Sequence, residues 1–169
     1  MRRTIFSENF NTFAGTGFAA EPGAGQLDSD LWSVDGFSSE ADETRGLTDG
    51  GVSTGGVYAL DRLDEDRGLL IQPGGSDFTP GTLTLNLNSG ETALNDVTVS
   101  FERLVNNDQA RGNSFNLEYS LDGVNCVQLD AFTSAAEADE LGVTATTVSV
   151  KMPDLPANTD FVLRWSGSD

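Results

Sequence analysis

The stretch Phe115-Asn116-Leu117-Glu118-Tyr119-Ser120-Leu121-Asp122-Gly123 decides the fold class of this chain. Its apolar residues Phe115, Leu117 and Tyr119 alternate with polar ones. A period of two places alternate side chains on opposite faces of a β-strand. The closing Asp-Gly pair is a hairpin signal, because these residues accept the positive φ that tight turns require. The stretch therefore predicts a strand with one buried and one solvated face, followed by a hairpin.

The same alternation recurs through the second half of the chain, in Leu83–Leu87, Val97–Phe101, Val148–Met152 and Phe161–Trp165. In the looser first half, four further segments are predicted strands: Thr4–Phe10, Leu31–Phe37, Gly56–Leu60 and Gly68–Gln72. Only Ser134–Leu141 has helix-forming composition, and it could equally be an acidic loop. About nine strands with turn signals between them predict one all-β domain over residues 1–169, an antiparallel β-sandwich. A closed barrel is the alternative.

The composition excludes several function classes. The chain has nine basic and 27 acidic residues, a net charge of −18, no histidine and one cysteine. It therefore lacks the residues for Ser-His-Asp or Cys-His catalysis, for the usual zinc sites and for an internal disulfide. The charge argues against nucleic acids and anionic membranes as partners. Carboxylate pairs arise by chance in so acidic a chain and are no evidence for glycoside hydrolysis. We therefore interpret the chain as a non-enzyme whose most plausible cofactor is a hard cation.

The N-terminus and the composition bear on localisation. Met1-Arg2-Arg3-Thr4-Ile5-Phe6 has a basic pair but no apolar region behind it, so no signal peptide of the usual type is visible. Either the protein is cytosolic, as an acidic protein of a halophile would be, or it is exported without a cleaved N-terminal signal. A single lysine, one cysteine and abundant acids favour the second alternative. We expect a bacterial extracellular or cell-surface protein with no membrane insertion.

The order of the segments resembles a known architecture. Its motifs are Ile5–Phe10, Asp28–Val34, Ser53–Leu60, Val97–Glu102, Phe115–Gly123 and Phe161–Trp165. They resemble the jelly-roll β-sandwich modules of large secreted bacterial proteins. Such modules occur in calcium-dependent adhesins and beside extracellular nucleases, and are similar to MAM-type and carbohydrate-binding jelly rolls. The resemblance implies a jelly-roll sandwich and covers nearly the whole chain.

The resemblance also implies a further strand, with a Gly-Ile-Asp-Asp-like sequence, beside the first one. The sequence ends at Ser166-Gly167-Ser168-Asp169, where that strand is expected to begin. The closing strand is then dispensable, or the sequence is cut short, or another chain supplies the strand. An open edge beside the first strand would favour β-augmentation, in self-association or with a neighbouring domain.

Three acids are candidate metal ligands. Glu8 alternates with Phe6 and Phe10, and a carboxylate on an apolar face needs a partner. In the jelly-roll families the matching acid often binds structural Ca²⁺ together with an acid from the loop before the tryptophan, a place held here by Asp28 and Asp30. Calcium takes six to eight oxygen ligands, which carboxylates and backbone carbonyls supply. The alternative is that Glu8 is a solvated edge residue and that Asp28 and Asp30 form a turn.

Other candidates have ordinary structural interpretations. Asp61–Arg67 and Asp139-Glu140 are read as solvated loops, and Asp108 and Asp122 as turn formers. Trp165 is in phase with Phe161 and Leu163 and is predicted to be core, whereas Trp32 is either core or a platform for a sugar. Tyr58 and Cys126 are predicted to be buried.

Three functions follow as hypotheses. The first is a calcium-stabilised extracellular module for adhesion, or for self-assembly into a fibre or layer. The second is a module that binds a glycan or a peptide. The third is an accessory domain of a secreted hydrolase.

Overall fold

The computed structural model describes residues 3–40, 43–61, 67–138 and 140–168, and it is nearly all β. The strands are β1 (Phe18–Ala19), β2 (Leu27–Asp28), β3 (Trp32–Asp35), β4 (Leu47–Thr48), β5 (Gly56–Leu60), β6 (Gly68–Gln72), β7 (Gly81–Asn88), β8 (Thr98–Asn106), β9 (Ser114–Ser120), β10 (Val127–Asp130), β11 (Val143–Lys151) and β12 (Asp160–Ser168). The predicted all-β sandwich is confirmed. In the part of the chain described, no helix is long and apolar enough to span a membrane.

One layer is a five-stranded antiparallel sheet in the order β10-β9-β12-β7-β3. Its centre is β12, where Leu163 lies opposite both Leu85 of β7 and Tyr119 of β9. Trp165 lies opposite Leu83 and Leu117 in the same way. Since side chains alternate between faces, these apolar residues form one continuous buried surface.

The other layer is in two pieces. One is the three-stranded sheet β4-β5-β6, and the other is the ladder of β8 with β11, in which nine residues pair with nine. Val57 of β5 is fully buried in the same cluster as Leu85 and Leu163, and Val99 of β8 packs against that cluster. Both pieces therefore cover the five-stranded sheet.

Two of the predicted strands are different in the structure. Thr4–Phe10 joins no sheet, and Phe10 has a φ of 57° at a reversal where the Phe13 N–H donates to the Phe10 carbonyl. The Glu8 carboxylate accepts hydrogen bonds from the N–H groups of Asn9 and Phe10, which competes with ladder pairing. The predicted strand Leu31–Phe37 shortens to β3, which ends where Gly36 takes a φ of 94°.

The segment Ser134–Leu141 is a loop in its described residues, 134–138 and 140–141. Of the acidic pair Asp139-Glu140, Asp139 lies outside the described residues.

At one end of the five-stranded sheet the ring of Phe78 packs against two strands, and this residue is 1% exposed. Gly81 of β7 pairs with Gly167 of β12, and the Phe78 ring lies against both glycines. A Cβ at Gly167 would lie 2.7 Å from the Ser114 carbonyl oxygen and 2.5 Å from Phe78 Cε1. Glycine is thus required at this position by close approach of a ring and a neighbouring backbone.

We predict that Gly167→Ala destabilises the protein by about 1–3 kcal/mol, because the added methyl overpacks a site bounded partly by backbone. Gly75→Ala is the matched control: no atom lies within 4 Å of its added Cβ, so the change stays within about 0.5 kcal/mol. Urea unfolding followed by tryptophan fluorescence measures both. Equal stability of the two variants would contradict the described packing.

Candidate functional site: an open slot in the second layer

A cavity of about 580 Å³ lies between the two layers. The five-stranded sheet lines it with alternate residues: Leu83, Leu85 and Leu87 of β7, and Phe161, Leu163 and Trp165 of β12. A lining with period two means that these strands present a face to the cavity. This sheet is therefore the apolar floor.

Strands β6 and β8 line the same cavity differently. Every residue of β6 and every residue of β8 contributes to the lining. A continuous run means that residues on both faces of the strand reach the cavity, as they do where a strand borders a cavity along its backbone edge. Within the described residues β6 pairs with β5 alone, and β8 with β11 alone. We call this cavity, with β6 and β8 at its sides and β7 and β12 at its floor, the slot.

The N-terminal segment lies at the slot. Ile5–Phe10 are all lining residues, and the rings of Phe6 and Phe10 lie 6.1 Å and 5.4 Å from the Trp32 ring. Ile5 is 37% exposed. For the described residues 4–8, no backbone hydrogen bond to β6 or β8 is found. The segment therefore contacts the slot through side chains and leaves the strand edges unpaired.

Both tryptophans of the chain lie on the floor of the slot. The rings of Trp32 and Trp165 stack with centroids 6.2 Å apart, and Phe101 of β8 meets Trp165 edge-on at 5.7 Å. Trp32 is 4% exposed and Trp165 is 7% exposed. The prediction that Trp165 belongs to the core is confirmed, and Trp32 is also core rather than a surface platform for a sugar.

Three lining residues carry buried polar atoms for which the described residues provide no hydrogen-bond partner: Trp32 Nε1, Arg103 Nε and Asn113 Oδ1. A buried polar atom left without a partner costs on the order of 1–3 kcal/mol. Buried polar groups are normally paired, so such atoms call for an explanation. Here two donors and one acceptor belong to residues around one cavity. A ligand that offers both acceptors and donors, as a polypeptide backbone does, matches this set.

Arg103 is held firmly beside the slot. Its Nη1 donates to Asp130 Oδ2 over 2.8 Å, and its guanidinium lies 4.1 Å above the Phe132 ring. Arg67, at the start of β6, donates from Nη1 to the Phe13 carbonyl. Both arginines line the slot. Glu8 and Glu102 line it as well, so the lining among the described residues carries two positive and two negative charges.

The three candidate calcium ligands make local contacts. Glu8 is exposed, and its Oε1 accepts from Asn9 N at 2.9 Å and Phe10 N at 2.7 Å. Asp28 Oδ1 accepts from Asp30 N at 2.9 Å. In residues 3–40, 43–61, 67–138 and 140–168, no three acidic or cysteine side chains are grouped to hold a metal ion. Glu8, Asp28 and Asp30 are thus not found in such a group, and calcium binding at these acids stays a prediction.

Two other acids have structural roles. Asp122 accepts from the side chain and N–H of Asn125 and from the Val124 N–H, and these bonds hold its carboxyl pKa well below the usual range. The hydrogen bond from the Ser38 N–H likewise lowers the pKa of buried Asp77. Asp122 thus stabilises the predicted hairpin turn, in which Gly123 has a φ of 74°.

Tyr58 and Cys126 differ in burial. Tyr58 is buried, and its hydroxyl donates to the Thr54 carbonyl. Cys126 is half-buried and precedes β10, so the prediction that it is buried is wrong. In the charged loop Asp61–Arg67, residues 62–66 lie outside the described part of the chain.

Comparison with known proteins gives one structural likeness. No protein-family model matches the chain, and no curated protein matches it. A solved structure of a carbohydrate-binding module, described as specific for non-crystalline cellulose, aligns over 88% of each chain with a TM-score of 0.40 and 13% identity. At this TM-score the likeness defines neither a family nor a ligand for this chain.

Proposed function

We propose that this protein is a non-catalytic binding module that accepts an extended polypeptide strand in the slot. The observation that carries the proposal is that, among the described strands, β6 pairs only with β5 and β8 only with β11, beside one apolar cavity. Strand addition to an exposed sheet edge is a recurring mode of peptide recognition. Main-chain hydrogen bonds give it affinity, and pockets for alternate side chains give it specificity.

The length of β6 suits this ligand. The five residues of β6 span about 17 Å, since a strand rises about 3.3 Å per residue. A strand between β6 and β8 would exchange hydrogen bonds with both edges. Its alternate side chains would enter the floor of leucine, phenylalanine and tryptophan side chains. Its peptide groups also include the acceptors and donors that Trp32 Nε1, Arg103 Nε and Asn113 Oδ1 lack.

We assign the module to adhesion or assembly at a bacterial cell surface, as the sequence predicts. The net charge of −18 would keep the exported chain soluble. Calcium, present at millimolar concentration outside cells, would screen this charge and stabilise the folded state by binding to it.

A glycan ligand is the second candidate function. A polar recess of about 70 Å³ adjoins the slot, and Asn113 lines both. The recess is lined by Gln72, Asn106, Asn107, Gln109 and Arg111, among others. Amide and guanidinium groups suit sugar hydroxyls, but Asn107 Nδ2 already donates to the carbonyls of Ala135 and Glu137. The small volume and these internal bonds place this candidate second.

We predict that an eight-residue peptide of alternating valine and threonine changes the tryptophan fluorescence saturably, because both tryptophans lie on the slot floor. The same peptide with every second amide N-methylated is the control, since it loses the donors that would pair with one of the two edges. Val99→Phe, which adds bulk beside the slot, should weaken binding about tenfold or more.

A titration in which the N-methylated and unmodified peptides behave alike would contradict strand insertion. A saturable response to a soluble oligosaccharide with none to the peptide would favour the glycan candidate.

We predict that calcium raises the melting temperature of the protein and binds with measurable heat. Glu8→Gln and the double change Asp28→Asn with Asp30→Asn should each weaken the calorimetric signal, because each removes carboxylate ligands. Glu91→Gln, at another exposed acid, is the matched control. No heat of binding and no shift in melting temperature would refute the calcium prediction.

A further inference from the structure

We infer that the strand received by the slot is the Thr4–Phe10 segment of a second copy of this chain. The inference rests on the proposed function and names the ligand. It makes the chain self-associating, with each copy donating its segment and receiving that of its partner. Exchange of identical elements between copies is an established route to dimers, and if it is not reciprocal it continues into filaments.

The segment already packs against the slot of its own chain. Phe6 and Phe10 pack against Trp32 from within the same chain, and Ile5–Phe10 all line the cavity. The sequence of the segment alternates as a strand does, with Phe6, Glu8 and Phe10 on one predicted face. It thus has the pattern of a strand and the apolar side chains that the floor accommodates, but its backbone is not in a sheet.

The backbone conformation at Phe10 keeps the segment out of its own sheet. Phe10 has a φ of 57°, in the left-handed region that bulky residues rarely adopt. The chain reverses there, and Asn11 is tied to the start of β6 because its Oδ1 accepts from the Arg67 N–H. An extended Phe10 would relieve the strained φ and carry the segment away from its own slot, toward that of a second copy.

The charges at the slot also favour the segment. Among the described residues, and apart from Glu8 itself, the charged residues that line the slot are Arg67, Arg103 and Glu102, whose charges sum to +1 in a chain of net charge −18. Arg103 Nε is buried and has no hydrogen-bond partner in this part of the chain. A carboxylate in the middle of an inserted strand would accept from it, and charge-assisted hydrogen bonds are among the strong ones. Glu8 is the acid at the middle of the segment.

Sedimentation velocity over a wide concentration range tests the inference on the full chain. About 0.5 M salt shortens the Debye length below about 5 Å and so suppresses repulsion between the acidic copies. We expect concentration-dependent association. Glu8→Lys should weaken it about tenfold, because a positive charge, like that of Arg103, replaces the carboxylate. Glu91→Lys, the same charge change at another exposed acid, should leave association unchanged. Phe6→Ser should weaken it as well, with circular dichroism as the check on folding.

Crosslinking gives the location. In a Cys126→Ser background, copies with Ser7→Cys are mixed with copies with Ser100→Cys, on the segment and on β8. We expect disulfide-linked heterodimers in greater yield than from Ser7→Cys mixed with Val124→Cys, at a position that is 78% exposed on the β9–β10 turn.

The outcomes separate this inference from the proposed function. A chain that stays monomeric but binds the alternating peptide overturns segment exchange and leaves strand binding in place. A chain that does neither overturns both. Association that Glu8→Lys and Phe6→Ser leave unchanged occurs through another surface and overturns the exchange.

Discussion

The structure depends on the need of backbone N–H and C=O groups for hydrogen-bond partners. In the five-stranded sheet this need is met by continuous ladders around β12, which is paired on both sides. In the second layer β6 and β8 each pair on one side within the described residues. Their other edges adjoin the same cavity. An edge of this kind is a template for a further strand unless it is covered or charged.

The surroundings of these edges explain why the two pieces of the second layer can remain separate sheets. The β8–β11 ladder is nine residues long, and the salt bridge of Arg103 with Asp130 ties β8 to β10 at the edge of the five-stranded sheet. At the other side, β6 is held by β5, whose Val57 and Ala59 are fully buried in the core. Each piece thus has its own contacts with the floor, and the pieces meet where Asn106 Nδ2 of β8 donates to the Gly50 carbonyl between β4 and β5. The floor itself is stabilised by leucine, phenylalanine and tryptophan packing that does not require the slot to be filled.

Much of this fold could be predicted from the sequence. Period-two alternation of apolar and polar residues correctly located β7, β8, β9, β11 and β12. In β7 and β12 the burial of the side chains alternates in the same way. The predicted bounds of β5 and β6 agree with the structure. The Thr4–Phe10 prediction failed because the Glu8 carboxylate satisfies nearby N–H groups and the chain reverses at Phe10. Alternation indicates which face of a strand a residue would occupy. A local hydrogen bond such as that of Glu8 does not alter the alternation, so the pattern could not reveal that the segment joins no sheet.

The slot was harder to predict from the sequence. A pattern of residues predicts strands but not which edges remain unpaired, because pairing depends on contacts between distant segments. One signal was present: β6 contains Leu69, Leu70 and Ile71 in succession, without the alternation expected of a strand with one solvated face. All three are half-buried and line the slot. Glu8 was predicted from the sequence as a metal ligand, and the structure places it at the slot, with no group of acids for a metal among the described residues.

Amide hydrogen exchange resolved by residue tests the central claim most directly. In an antiparallel strand paired on one side, alternate N–H groups face the partner and the others face away. In the dilute monomer, we therefore expect every second amide of β6 and β8 to exchange rapidly and the others slowly. The fast set should become protected when a strand peptide or a second copy binds. Slow exchange of all amides of both strands in the dilute, unbound protein would show that the edges are already paired and would contradict the account.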